Sequence, residues 1–235
     1  MELNALCERY GDGFLGQPAN AVTSVAFVVA GAGIIVASRR NRGARGRLTR
    51  DRQMVAFGAL VTGIGVGSFV QHGPHPDWQA YAHDLPLAAV LVFVATDATS
   101  DLRGRELPLA WRLVPVVAMV PVVAWGATAS TIVQAGMAVA AIGLNLVRAA
   151  RRPALHRPLI AALVTVAAGA LMGALGDRTS LCRADSILQG HAVWHVLAAA
   201  ALWRLAPAIG ARRWPSTPAR SSLSDVRWME AARRR

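Results

Sequence analysis

With 235 residues, 54% of them hydrophobic, and a mean hydropathy of +0.38, the chain is too apolar for a water-soluble domain of its length. Its net charge of +12 rests on arginine alone, since lysine is absent. The arginines lie in loops beside apolar runs rather than in a stripe, which excludes a nucleic-acid-binding reading and makes them topology signals.

The polar start, Met1 to Asp12, lacks the basic segment of a signal peptide, so the first apolar run is expected to stay in place as a membrane helix. A bilayer core takes about 20 apolar residues per helix. Ala19 to Ala37 is the first such run, and Met54 to Val70 is the second, with Gly58, Gly63, Gly65 and Gly67 suited to close helix packing. The third is the weakest. Its charge-free stretch is only Leu85 to Thr96, so Trp78, Tyr81 and Asp84 fall within its first turns. From Leu113 to Val147 no residue is charged, which is too long for one span and predicts two, turned near Trp125-Gly126. Leu159 to Leu175 and Leu188 to Leu205 complete seven helices.

Arg39, Arg40, Arg42, Arg45, Arg47, Arg50 and Arg52 crowd the first connection. If that connection is cytoplasmic, so are Arg103, Arg105 and Arg112, then Arg148, Arg151, Arg152 and Arg157, and the C-terminal tail. All of the 25 basic residues then lie inside except Arg9, Arg178 and Arg183. The expected fold is an all-α seven-transmembrane helix bundle with its N-terminus extracytoplasmic and its C-terminus cytoplasmic. Residues 1–18 form the N-terminal segment, 19–208 the membrane domain and 209–235 a flexible basic tail. The arginine- and alanine-rich composition points to a bacterial plasma membrane.

Three places break the apolar background: Ser68 to His72, His83-Asp84, and His191 with His195. By the arginine topology all three lie at the extracytoplasmic ends of their helices. His191 and His195 are four apart and share a helical face, as do Ser68 and His72. Three histidines from two helices make a tetrahedral zinc site with one position open to water, the catalytic arrangement. Asp84 is the natural general base or orienting partner for that water, and Ser68 can donate to an oxyanion. His75 and His83 are alternatives to His72. Pro74 and Pro76 put His75 in a loop, and His83, adjacent to Asp84, points away from it on a helix. His156 reads as a loop residue. A lone intramembrane histidine is more often a hydrogen-bonded core residue than a ligand. The case here rests on Ser, Asp and three His meeting at one face.

Cys7-Glu8, Pro18-Ala19-Asn20, Gly65-Val66-Gly67-Ser68-Phe69-Val70-Gln71-His72, Asp84-Leu85-Pro86 and Gly190-His191-Ala192-Val193-Trp194-His195 together resemble the alkaline ceramidase family. That family belongs to a superfamily of seven-helix membrane hydrolases that also includes the adiponectin-type receptors. The similarity spans residues 5 to about 205. The resemblance implies zinc on His72, His191 and His195, with Asp84 and Ser68 catalytic, and hydrolysis of the amide bond of ceramide or a related membrane lipid to a fatty acid and a long-chain base. It also supports a disulfide between Cys7 and Cys182. The family's acidic N-terminal calcium site is represented only by Glu8 and Asp12. Gln17 stands where another acidic ligand would be, leaving fewer hard oxygens than calcium takes. Two other classes stay open: a receptor-like or regulatory protein with a zinc site and little turnover, and a transporter using histidines as proton relays. The scarcity of polar residues in the fourth to sixth spans argues against the second.

Overall fold

The structure, a computed structural model, describes residues 6–40 and 48–212. Arg42, Arg45 and Arg47 of the basic connection, and the tail beyond Arg212, lie outside the described residues. Every regular element described is helical: α1 Pro18–Thr23, α2 Val25–Arg40, α3 Leu48–His72, α4 Gln79–Arg103, α5 Ala110–Trp125, α6 Ala127–Arg151, α7 Pro153–Arg178 and α8 Gly190–Leu205. A 3-10 turn, Ala206–Ala208, follows α8. A chain this apolar has few side chains that could serve the backbone, so each segment satisfies its own N–H and C=O groups as a helix.

Local sequence sets the boundaries. Pro18 occupies the first turn of α1, where a missing N–H costs nothing. Gly104 closes α4 in the left-handed conformation, with φ at 63°. Gly126, with φ at 131°, ends α5 and starts α6, so the turn expected near Trp125-Gly126 falls there, at a backbone angle that only glycine adopts without strain. α1 and α2 run on as one apolar segment, Pro18–Arg39.

Among the described residues, five helical segments are long and apolar enough to cross a membrane: Pro18–Arg39, Arg50–His72, Gln79–Arg103, Ala127–Arg151 and Pro153–Asp177. α5 and α8 are shorter, at 16 residues each. Neighbours in sequence pack together, α8 packs against α2, and α4 packs against α3, α5 and α6, with Phe57 of α3 stacked on Phe93 of α4. The outer surface carries large apolar side chains, among them Val29, Val66, Val117, Ile132, Val139 and Val164, each more than half exposed. Buried polar residues such as Asn20, Asp97, Asn145 and Arg148 lie among the apolar core, so the surface is the part inverted relative to a soluble domain.

That inversion corrects part of the charge reading. Arg148 and Arg151 are on α6 and Arg157 on α7, rather than in a connection. Arg148 is fully buried. Its Nε donates to Asp101 at 2.7 Å, one Nη to Asp97 at 3.0 Å, and the other to the Ala208 carbonyl at 2.7 Å. Arg152 also pairs with Asp101. Arg212 pairs with Asp97 at 2.8 Å and with Glu106 at 3.1 Å, so residues 209–212, assigned to the tail from sequence, are tied into the bundle. His156 lies within α7 and not in a loop.

Candidate metal centre

At the end of the bundle opposite the Arg148 network, the C-terminus of α3 and the N-terminus of α8 bring His72, His191 and His195 together. One nitrogen from each lies within 4.8 Å of the others. The ring centroids of His191 and His195 are 4.6 Å apart, and those two rings lie 5.1 and 5.2 Å from His72. His72 and His195 are buried, and His191 is partly so.

Two of the rings are held from behind by hydrogen bonds, and the third faces a carboxylate. His72 Nδ1 is 2.6 Å from Gln17 Oε1, which can only accept, so the proton is on Nδ1 and the lone pair on Nε2. That Nε2 is buried and has no hydrogen-bond partner. A buried, unpaired nitrogen facing two other imidazoles is what a metal ligand looks like before its ion is added. His195 Nδ1 donates to the Asn20 carbonyl at 3.1 Å, leaving Nε2 for the centre. His191 Nδ1 faces Asp177 Oδ2 at 3.8 Å. The three nitrogens fit a metal ion.

The other expected residues fall in different places. Ser68 Oγ is buried at the centre, 3.2 Å from His195 Nε2, and accepts from Ser24 Oγ at 2.9 Å. Asp84 is not one of the clustered donors. Its Oδ2 accepts from Ser130 Oγ on α6 at 2.5 Å, and Gln134 Nε2 donates to that serine at 2.8 Å. Its Oδ1 is 2.6 Å from His83 Nδ1, which corrects the expectation that His83 points away from it. The His83 ring lies 6.4 Å from that of His72. His75 sits in the loop after α3 with φ at 48°, its ring tilted 57° against that of Tyr10.

Cys7 and Cys182 are joined, with their Cα atoms 5.5 Å apart. The bridge brings the N-terminal segment over the centre, where the Cys7 N–H donates to Asp177 Oδ1 at 3.2 Å. Glu8 then caps α1: its two carboxylate oxygens accept the N–H groups of Ala19 and Asn20 at 2.7 and 2.9 Å. Both Glu8 oxygens are engaged in this way, and Asp12 is exposed. Among the described residues, neither belongs to a cluster of three or more metal-ligating side chains. Gln17 Nε2 donates to the Glu8 carbonyl at 2.7 Å, completing the link from the N-terminal segment to His72. The Tyr10 hydroxyl donates to the Gln71 carbonyl. Burial, then the Glu8 charge, pushes its pKa up to about 12, so the donor persists.

Two close backbone approaches set the register. A Cβ on Gly67 would lie 1.8 Å from the Ala82 carbonyl oxygen, and one on Gly176 would lie 2.5 Å from the Gly190 Cα. The first presses α4 against α3 beside Ser68; the second brings Asp177 beside His191. Sequence reasoning singled out Gln17 and Asn20 without their place behind His72 and His195, and gave no site role to Asp177 or Ser130. Only the Ser130 and Gln134 pair, four apart in a charge-free run, carried a signal. Neither a scan of protein-family models nor a search of curated proteins finds a match for this chain.

Proposed function

We propose that this chain is a seven-span membrane hydrolase of the alkaline ceramidase type, holding zinc on His72, His191 and His195 and cleaving the amide bond of ceramide or a related lipid amide. The observation that carries the reading is the buried, unpaired Nε2 of His72 facing His191 and His195 at one end of an apolar bundle. Three imidazoles suit zinc, and an open fourth position suits catalysis. Seven spans need α5 and α8 to cross as well. α8 continues through the 3-10 turn to Ala208, and exposed Trp111 and Trp125 at the two ends of α5 are the side chains that sit at membrane interfaces. The arginine distribution supports an extracytoplasmic N-terminus.

Bound zinc would supply Lewis-acid polarisation of the carbonyl and an acidified water. The chain's own groups supply the rest. Gln17 and Asn20 hold the His72 and His195 rings with their Nδ1 side outward, and the Asp177 carboxylate lies on the Nδ1 side of His191. The lone pair of His195 Nε2 serves one partner at a time, so once it is engaged the Ser68 O–H is free to donate where negative charge develops on the substrate oxygen. The pair His83-Asp84 on α4 provides for proton transfer. A site at the end of apolar helices matches the depth of a lipid amide, just below its headgroup.

The test is one detergent-purified sample assayed for zinc and for fatty acid release from a ceramide panel, beside the His191→Ala/His195→Ala double variant. About one zinc per chain with turnover, both lost in the variant, is the expected result. Zinc without turnover on any ceramide would remove the substrate and favour the receptor-like class. Absence of zinc would remove the centre itself.

A further inference from the structure

We infer that His83 is the catalytic proton carrier of this centre and that Asp84 is a positioning residue acting through it; this deepens, and rests on, the proposed hydrolase reading. The geometry assigns the two roles. Asp84 has its oxygens committed in two directions, Oδ1 to His83 Nδ1 at 2.6 Å and Oδ2 to Ser130 Oγ at 2.5 Å. Ser130 is on α6, which packs on α4 rather than on α3 or α8, the helices that carry the three histidines. Gln134 in turn donates to Ser130, so the carboxylate is braced from behind. A carboxylate held this way orients a neighbour.

The neighbour it orients is on the centre's side of α4. Gly67, next to Ser68, leaves so little room that a Cβ there would lie 3.0 Å from the His83 Cα. The His83 ring lies 6.4 Å from that of His72, at an interplanar angle of 82°. With Asp84 accepting from Nδ1–H, the lone pair of His83 is on Nε2, as in any carboxylate-oriented imidazole that acts as a base. In the amide cleavage, a water oxygen bonds to the carbonyl carbon while one water proton passes to His83 Nε2. The carbon–nitrogen bond then breaks, and Nε2 returns that proton to the departing nitrogen. The products are a carboxylic acid and an amine, His83 ends neutral, and no oxidant or reductant enters.

The test compares His83→Gln, Asp84→Leu and the double variant in the full chain, with metal per chain measured in each. Side-chain nitrogen NMR of the substrate-free, histidine-labelled protein adds a readout independent of turnover. The expected result is retained metal throughout, a fall in kcat of about 100-fold or more for His83→Gln, and a smaller fall, about 10-fold, for Asp84→Leu. The double variant is expected to be no worse than His83→Gln alone. In the NMR spectrum His83 is expected to carry its proton on Nδ1 in the wild type and to redistribute it in Asp84→Leu. Turnover within tenfold of wild type for His83→Gln, or a second full loss when Asp84 is removed from the His83→Gln background, would overturn the assignment. So would a wild-type His83 protonated on Nε2. If the wild type cleaves no lipid amide, the hydrolase reading fails separately, and the NMR result decides the orientation by itself.

Discussion

Gln17→Leu removes the acceptor behind His72 while keeping the side-chain volume close to the original. In the wild type Gln17 Oε1 takes the His72 Nδ1–H at 2.6 Å, and its Nε2 donates to the Glu8 carbonyl at 2.7 Å. Two effects separate. Leaving those groups unpaired costs about 1–3 kcal/mol each, with and without metal, so that loss appears in stability. Metal affinity changes only through His72: without its acceptor the ring is free to move its proton to Nε2 or to rotate, and must reverse this to bind. Loss of such an outer partner weakens binding about 10–100-fold, or about 1.4–2.7 kcal/mol. Chelator competition at constant pH on the purified full chain measures the affinity. Gln17→Glu, which keeps an acceptor, is expected to stay near wild type. Binding by Gln17→Leu within about twofold of wild type would refute the claim that Gln17 sets the His72 tautomer.

Three further outcomes are expected. Arg148→Met leaves Asp97 with Arg212 and Asp101 with Arg152, so the cost should sit near the low end of the 3–5 kcal/mol typical for a broken buried pair, read by unfolding in mixed detergent, with metal content unchanged at the far end. Cys182→Ser opens a bridge spanning 175 residues. The loss should be about 2–4 kcal/mol, less than random-coil loop entropy alone implies because membrane helices do not become a free coil, and wild-type protein in reductant should match the variant. Gly67→Ala places a methyl against the Ala82 carbonyl, and the resulting separation of α3 from α4 should cost about 1–3 kcal/mol and lower metal affinity; an unchanged stability would contradict the close approach.

Much of the centre was legible because its signals are local or additive. His191 and His195 share a face by their spacing alone, as do Ser68 and His72, and the arginine pattern placed both pairs at one end. The glycine turn at Gly126 and the positions of the apolar runs were equally plain. The residues behind the ligands were not. Gln17 is 55 positions from His72, and Asn20 is 175 from His195. Nothing about a glutamine before a proline, or an asparagine in an apolar helix, announces a distant imidazole. Arg148 misled for a related reason: a charge at the end of an apolar run reads as the edge of the membrane, whereas its two aspartates, 47 and 51 residues away, let it stay buried inside the bundle.

From sequence alone the chain is committed to helices with apolar exteriors and to three histidines and a serine placed where two helix ends can meet. Hydropathy and helical spacing are carried residue by residue, so no tertiary contact is needed to read them. Which atoms face each other is another matter. The tautomer of His72, the turn of Asp84 toward Ser130, the approach of His83 and the burial of Arg148 depend on the rotation and register of one helix against another. Those are set by close backbone approaches such as Gly67 on Ala82, and they exist only once the bundle has packed.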